Sequence, residues 1–233
     1  MALPQIQQAT FNLTLPSSKK KWKYRSFTVK EEKILLMALE SKDEKAMVSA
    51  ILQIIDNCTF GNIKNLSDLP FFDIEYMFIK MRQKSVGDTI NATKRCTKCD
   101  EEIPIEIDLN KVQVDLKDKP NPLIEITENI GMELRYPSGD NLEMVNGDTD
   151  IDKMFNVVIH LIKSIYEGDV VHKPSDYTDE ELMSFVESLP DTVFKKVNEF
   201  MANMPKTVYE ATMPCPICNT VNVIRLEGLS SFF

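Results

Sequence analysis

ATKRCTKC at residues 92–99 and ATMPCPIC at residues 211–218 are the most informative parts of this chain for its fold. Each contains a Cys-x-x-Cys pair preceded by Ala-Thr at the same spacing, so one cysteine-bearing unit occurs twice. Two such pairs can close a tetrahedral zinc site of four thiolates. We therefore predict a Zn²⁺ ion that clamps two distant parts of the chain together and takes no part in catalysis. Its predicted ligands are Cys96, Cys99, Cys215 and Cys218.

The separation of the two pairs is unusual for a zinc ribbon. Cys99 and Cys215 have 115 residues between them, whereas a compact ribbon has roughly 15 to 20. We expect β-strands on both sides of each pair, because antiparallel strands let an inserted segment leave and return at one place. A redox dithiol, reduced cysteines without metal and an iron–sulfur cluster remain open as alternatives. The fifth cysteine, Cys58, is predicted to be a small buried residue at a helix end.

Hydrophobic periodicity predicts the elements that precede the first pair. Alternation of apolar and polar residues over 9–27 predicts a β-hairpin. Capping boxes, in which a Ser or Thr and a Glu three residues later satisfy free amide groups, predict helix starts at Thr28 and Ser41. Apolar residues at helical spacing then predict three helices. These helices span about residues 28–40, 41–58 and 67–86.

Along the rest of the chain, the spacing of apolar residues changes between strand and helix periods. Alternation predicts strands at 89–94, 103–107 and 112–116 and a hairpin within 124–136. Helical spacing predicts helices at about 150–166, 178–188 and 190–204, with a loop around His172. Residues 207–227 return to a β pattern.

These elements predict an α+β protein. Helical layers accompany a small antiparallel β region, which is closed by a discontinuous four-cysteine zinc ribbon. The predicted organisation has three parts. A β-hairpin and helices occupy residues 1–87, the β region with paired zinc knuckles occupies 88–137 and 206–233, and an inserted helical segment occupies 138–205.

Composition narrows the classes of function. The net charge of −9, from 36 acidic and 27 basic residues, argues against nucleic-acid binding by the whole chain. The basic residues are concentrated near the N-terminus, between Lys19 and Arg25. No apolar run reaches the roughly 18 to 20 residues that span a bilayer, and the first residues lack the pattern of a secretory signal. We therefore expect a reducing compartment, in which disulfides are disfavoured.

The sequence contains no recognisable catalytic constellation. Its two histidines, His160 and His172, lie in a predicted helix and a predicted loop. Phosphate-binding, dinucleotide-binding and nucleophile-elbow motifs are missing from the sequence. A zinc ion with four thiolate ligands has no open position for a substrate. We therefore predict that the protein is not an enzyme.

Two long runs of sequence resemble a known family. LPSSK at 15–19 with YRSFTVKEEKILLMA at 24–38, and FDIEYMFIKMRQKSVG at 72–87, are similar to the T-even-type phage baseplate hub assembly proteins. The knuckle at Cys96 and Cys99 and the terminal Phe232-Phe233 pair resemble the same family. The resemblance is best over the first hundred residues.

The resemblance implies a role in building the central hub of a contractile tail baseplate, as an assembly factor or minor hub component. The expected partners are phage hub or tail proteins, met in the host cytoplasm during assembly or in the virion baseplate. The sequence does not determine the oligomeric state. Candidate contact residues, each with core packing as the alternative, are Trp22, Tyr24, Phe71, Phe78, Phe232 and Phe233.

Two other classes of function remain open. A zinc-ribbon regulatory or nucleic-acid-binding protein is the main alternative, and a basic stripe that joined Lys19–Lys23 to Lys94, Arg95 and Lys98 would favour it. A thiol oxidoreductase is the third reading, favoured by absence of zinc together with a low thiol pKa.

Overall fold

The computed structural model describes residues 6–116, 119–140 and 149–232. The described residues fall into two compact units. The first unit comprises the described residues of Met1–Leu66, Phe72–Asp115 and Lys206–Phe233, and the second comprises those of Ser67–Phe71 and Leu116–Pro205. The strands in chain order are β1 (Thr10–Thr14), β2 (Lys21–Arg25), β3 (Thr89–Arg95), β4 (Glu102–Asp108), β5 (Gln113–Asp115), β6 (Leu123–Glu125), β7 (Ile130–Leu134), β8 (Ile162–Glu167), β9 (Val170–His172), β10 (Lys206–Pro214) and β11 (Val221–Glu227). The helices are α1 (Val29–Ser41), α2 (Glu44–Cys58), α3 (Phe71–Ser85), α4 (Asp150–Leu161), α5 (Asp179–Glu187) and α6 (Asp191–Ala202).

The first unit combines three small antiparallel sheets with α1, α2 and α3. Strands β1 and β2 form the predicted N-terminal hairpin, β3 pairs with β4, and β10 lies between β11 and β5. The core side chains include Ile54 and Ile55 of α2 and Met77 and Phe78 of α3, all fully buried. The helical spacing of these residues in the sequence is what places them on one face of each helix.

The start of α1 is fixed by the predicted capping box. The backbone N–H of Thr28 donates to the Glu31 carboxylate at 2.8 Å, and the same carboxylate receives the Arg25 guanidinium at 3.0 Å. The Glu31 side chain has no exposure to solvent. The capping carboxylate therefore also joins β2 to α1 through a buried ion pair.

The second unit is a four-stranded antiparallel sheet with α4, α5 and α6. The strand order is β6-β7-β8-β9. Its core is a continuous apolar cluster that includes Met132 and Leu134 of β7, Val158 of α4 and Phe200 of α6. The Phe200 ring stacks on Tyr136 with 5.8 Å between the ring centroids.

The mixed helix-and-sheet class and the antiparallel pairing are confirmed. The strands predicted between residues 88 and 137 are found in three separate sheets. β3 and β4 pair with each other, β5 pairs with β10, and β6 and β7 belong to the sheet of the second unit. The three-part domain division of the sequence stays a prediction.

The predicted helix through Tyr166 is wrong at its end. Helix α4 ends at Leu161, and Ile162 begins strand β8, which pairs with β7 around a bulge at Glu133/Leu134. Ile162 and Ile165 fit a helical period as well as a strand, so pairing with β7 decides between the two. Gly168, with φ of 58°, then turns the chain into β9.

Two smaller expectations also need correction. His172 lies in the edge strand β9, and the segment around it is therefore not a loop. Ser41 is the last residue of α1, and Asp43 caps α2 by accepting a hydrogen bond from the N–H of Lys45 at 3.0 Å. Asp caps a helix as well as Ser does, so a cap at Asp43 is equally consistent with the local side-chain chemistry.

Candidate metal centre

The first Cys-x-x-Cys pair lies in the turn between β3 and β4, named here the first knuckle (Cys96–Glu101). The N–H of Cys96 donates to the carbonyl of Glu101 at 2.8 Å, and the N–H of Asp100 donates to the carbonyl of Cys96 at 3.1 Å. Asp100 has φ of 59°, a left-handed conformation that Asp and Asn tolerate better than most residues. These two bonds close the turn around the cysteine pair.

The second pair lies in the turn between β10 and β11, named the second knuckle (Cys215–Thr220). The N–H of Cys215 donates to the carbonyl of Thr220 at 2.8 Å, and the N–H of Asn219 donates to the carbonyl of Cys215 at 2.9 Å. Asn219 has φ of 56°. The two knuckles therefore share one hydrogen-bond pattern and one left-handed position, which confirms that the cysteine-bearing unit is repeated in structure.

The four cysteine sulfurs form one cluster. All four Sγ atoms lie within 4.8 Å of one another. The Sγ atoms of Cys96 and Cys218 are 3.6 Å apart, and those of Cys99 and Cys215 are also 3.6 Å apart. Sulfurs bound to zinc at about 2.3 Å in a tetrahedron would lie roughly 3.8 Å apart. The residues present therefore fit a four-thiolate metal centre, and the chain segments near 96 and 215 meet as their spacing predicted.

The same distances bear on the redox alternative. A dithiol that forms a disulfide in a Cys-x-x-Cys motif uses the two cysteines of one pair. Here the 3.6 Å contacts join cysteines of different pairs, and all four thiols share one cluster. This arrangement is better suited to one shared ion than to two independent dithiols.

Hydrogen bonds to sulfur stabilise the thiolate form in part of the cluster. The backbone N–H of Cys99 is the main cause that lowers the pKa of Cys96 to about 6, and the hydroxyl of Thr220 is the main cause that lowers the pKa of Cys218. At Cys99 the N–H of Glu101 also favours the thiolate, but desolvation and the neighbouring thiols raise its pKa to about 12. Adjacent thiolates repel one another, so a bound cation is what would let all four ionise.

Asn222 connects the two knuckles, and periodicity alone did not single it out. It lies on β11 with only 2% of its surface exposed. Its Nδ2 lies 3.6 Å from Cys96 Sγ, and its Oδ1 accepts hydrogen bonds from the N–H of Thr97 at 3.0 Å and from the Thr97 hydroxyl at 3.2 Å. The signal in the sequence is a polar residue at an inward position, because Asn222 shares its strand face with buried Ile224. Polar partners of this kind orient metal ligands.

The remaining candidate residues are distributed between core and surface. Tyr24 and Phe78 are buried in the first unit, and core packing, the alternative for both, accounts for their positions. Phe78 packs against Phe27 with 5.5 Å between the ring centroids. Trp22 and Phe71 are half-buried.

The C-terminal residues are described only in part. Phe232 ends a 3₁₀ turn that begins at Leu229. The side chain of Phe232 and the whole of Phe233 lie outside the described residues. The N–H of Leu229 donates to the buried Glu75 carboxylate of α3 at 2.8 Å, so the start of this turn is anchored to the first unit.

Fold and site together define a mixed α+β protein whose first unit contains a four-cysteine cluster between two hairpins. A sequence model of the family described as "T4 bacteriophage base plate protein" matches residues 8–233, and the chain belongs to this family. The chain is 25% identical over 211 residues to the baseplate hub assembly protein gp26 of Enterobacteria phage T4, and the match covers 90% of each chain. No solved structure shows a significant match. None of the described helices is both long enough and apolar enough to cross a membrane.

Proposed function

We propose that this protein assists the assembly of the central hub of a phage tail baseplate by binding other baseplate proteins. The observation that carries the proposal is the family match over residues 8–233. The similarity to a protein named for baseplate hub assembly, over 90% of both chains, supports the hub as the place of action. On this proposal the role is non-catalytic and is performed in the host cytoplasm while tails are built.

The proposal includes a structural zinc ion. Cys96, Cys99, Cys215 and Cys218 would hold it, and the 3.6 Å distances between their sulfurs support this assignment. A zinc ion bound by four thiolates supplies cross-linking and charge neutralisation, with no open position for a substrate. The chain itself supplies the two knuckles, and Asn222 orients one of them. The clamp would give a partner protein a fixed surface made of both hairpins.

Metal analysis tests the clamp directly. We expect one equivalent of zinc in the purified protein, measured by mass spectrometry of the metal, and its loss in Cys96→Ser and in Cys215→Ser. Cys58→Ala is the matched control, because Cys58 is buried in the same unit but lies outside the cluster. A full equivalent retained by both serine variants would refute the shared site. Protein free of metal that nevertheless keeps its native melting temperature would refute the structural role.

Binding to hub proteins tests the assembly role. The tagged protein would be co-expressed with each hub subunit of its own phage, and we expect at least one subunit to co-purify in a defined ratio. Trp22→Ala and Phe71→Ala test two candidate contact residues that are not fully buried. Phe60→Ala, an exposed aromatic residue of the first unit, is the control. The hub proposal fails if no subunit binds and if a phage lacking this gene builds complete baseplates. Proteomics of purified virions would show separately whether the protein stays in the particle.

The nucleic-acid-binding alternative has weaker support at the first knuckle. Arg95 is paired with Asp100 at 3.0 Å and with Glu102 at 3.5 Å, so its charge is largely balanced locally. Neutralisation of phosphates needs unpaired basic residues. A salt-sensitive shift of duplex DNA that Lys21→Glu and Lys23→Glu abolish would favour the alternative instead.

A further inference from the structure

The outward face of α1 is unusually apolar. Val29 is 86% exposed, Leu36 53%, Met37 61% and Leu39 40%. At 3.6 residues per turn, Val29, Leu36 and Met37 lie within an arc of about 100° on the side of the helix opposite the buried Leu35. Single exposed apolar residues are common, but a stripe of them along one helix marks an interaction surface.

The charged residues near this face are basic in the first half of α1 and acidic in its last turn. Lys30 and Lys33 lie in the first half of α1, and Glu40 lies in its last turn, on the same face as Leu36 and Met37. A helix dipole favours the opposite order, with acidic residues first and basic residues last. Within the described ranges, Lys30, Lys33 and Glu40 take part in none of the ion pairs. The stability of the isolated helix therefore does not explain this arrangement.

The face is complementary to itself. If two copies of α1 lie antiparallel and cross between Leu36 and Met37, Lys33 of each copy comes opposite Glu40 of the other, and Leu36 meets Met37. The pattern satisfies the rule for a two-fold interface, in which residue i contacts residue j and j contacts i. Antiparallel helices also place their dipoles in favourable opposition.

We propose that this protein forms a two-fold homodimer through the outward face of α1, with Leu36 and Met37 on the axis and two Lys33–Glu40 pairs at the flanks. This dimer proposal goes beyond the proposed role in hub assembly, and an experiment can refute either proposal without refuting the other. The 13-residue helix is about 20 Å long. One helix pair buries less than the roughly 800 Å² per partner of a standard interface. The dimer is therefore weak and depends on protein concentration.

Charge reversal gives a selective test, read by sedimentation velocity over a wide range of protein concentration. Lys33→Glu places Glu opposite Glu40 twice, and Glu40→Lys places Lys opposite Lys33 twice. We expect each single variant to raise the dimer dissociation constant about tenfold or more. A mixture of the two single variants, and the double variant Lys33→Glu/Glu40→Lys, restore opposite charges across the axis and should restore the dimer.

Controls separate dimer loss from misfolding. Glu40→Lys places a positive charge in the last turn, where the helix dipole favours it, and Lys33 is exposed and lies beyond the first turn, so neither reversal should lower the melting temperature of the monomer. Leu36→Glu should abolish the dimer, whereas Val170→Glu, at an exposed position of the second unit, should leave it unchanged. Wild-type protein that stays monomeric at every concentration would overturn the proposal. Single variants that associate as well as wild type, or a mixture that does not recover association, would also overturn it.

Discussion

The two units of this molecule differ in charge and in the way they are held together. The first unit has 19 Lys and Arg and 17 Asp and Glu, a net charge of +2, whereas the second has 8 and 19, a net charge of −11. All five cysteines belong to the first unit. The second unit has one continuous apolar core instead. The acidic excess of the chain thus comes from the second unit, and charge argues against nucleic-acid binding only for that unit.

The sizes of the sheets in the two units indicate which unit a bound metal ion would stabilise. The β3–β4 hairpin is a two-stranded sheet, and β10–β11 gains only the short β5 as a third strand. Hairpins of two strands are marginally stable unless something else holds them. In the second unit four strands pack against helices around the cluster that contains Phe200. A metal ion would therefore matter to the first unit and be irrelevant to the second.

Loss of the metal should destabilise the first unit strongly and leave the second unit intact. Cys215→Ser should release the metal and expose the amides of β3, β4, β10 and β11 to rapid hydrogen exchange. Amides of β7 and β8 should stay protected. Structural zinc contributes roughly 10 kcal/mol or more in small zinc-dependent domains, so the melting temperature should fall by about 20 °C or more. Equal loss of protection in both units would show that the metal is not specific to the stability of the first unit.

The reverse experiment targets the second unit. Phe200→Ala removes a ring that is 2% exposed and stacked on Tyr136. A cavity of this kind costs about 3–5 kcal/mol in the free energy of unfolding, which denaturant titration measures. Zinc content should stay at one equivalent. Loss of metal in this variant would show that the two units are not independent.

Acid titration tests the ion pair that joins β2 to α1. Burial alone would raise the pKa of Glu31, but the hydrogen bond from Arg25, with those from Thr28, lowers it from 4.5 to about 2. A depressed carboxylate pKa stabilises the fold above about pH 4.5, and this stabilisation is lost as pH falls towards 2. We expect Glu31→Gln to cost about 3 kcal/mol at pH 7 and to flatten this dependence.

The control for the acid titration is Glu106→Gln, at an exposed position of β4. This variant should keep the pH dependence of the wild type. Parallel curves for wild type and Glu31→Gln between pH 4.5 and 2 would show that the buried pair contributes nothing to it.

Substitution of Asn222 should weaken metal binding without unfolding the protein. Asn222→Ala removes the hydrogen bonds to Thr97 and the contact with Cys96 Sγ. Loss of such partners lowers metal affinity about 10- to 100-fold, and competition with a chromogenic chelator measures this. The fold should persist. Unchanged affinity would mean that Asn222 only packs between the knuckles.

Local sequence predicted much of the fold but could not resolve every boundary. The hairpin β1–β2 and the Thr28–Glu31 capping box follow from period and side-chain chemistry, both of which act over a few residues. The end of α4 was predicted too late, because Ile162 suits either structure until β7 pairs with it. The partners of Asn222 in the first knuckle became visible only in the structure, since Cys96 and Thr97 are more than a hundred residues away from it.

The repeated Cys-x-x-Cys unit, the α+β class and the family resemblance could all be established from the sequence alone. These depend on residue identity and short-range spacing, which need no knowledge of distant contacts. The three-dimensional structure was needed to show that the four sulfurs share one cluster, that Tyr24 and Phe78 are buried, and that the acidic excess belongs to one unit. Each of these depends on which distant segments pack together, and that is settled by the burial of apolar surface across the whole chain.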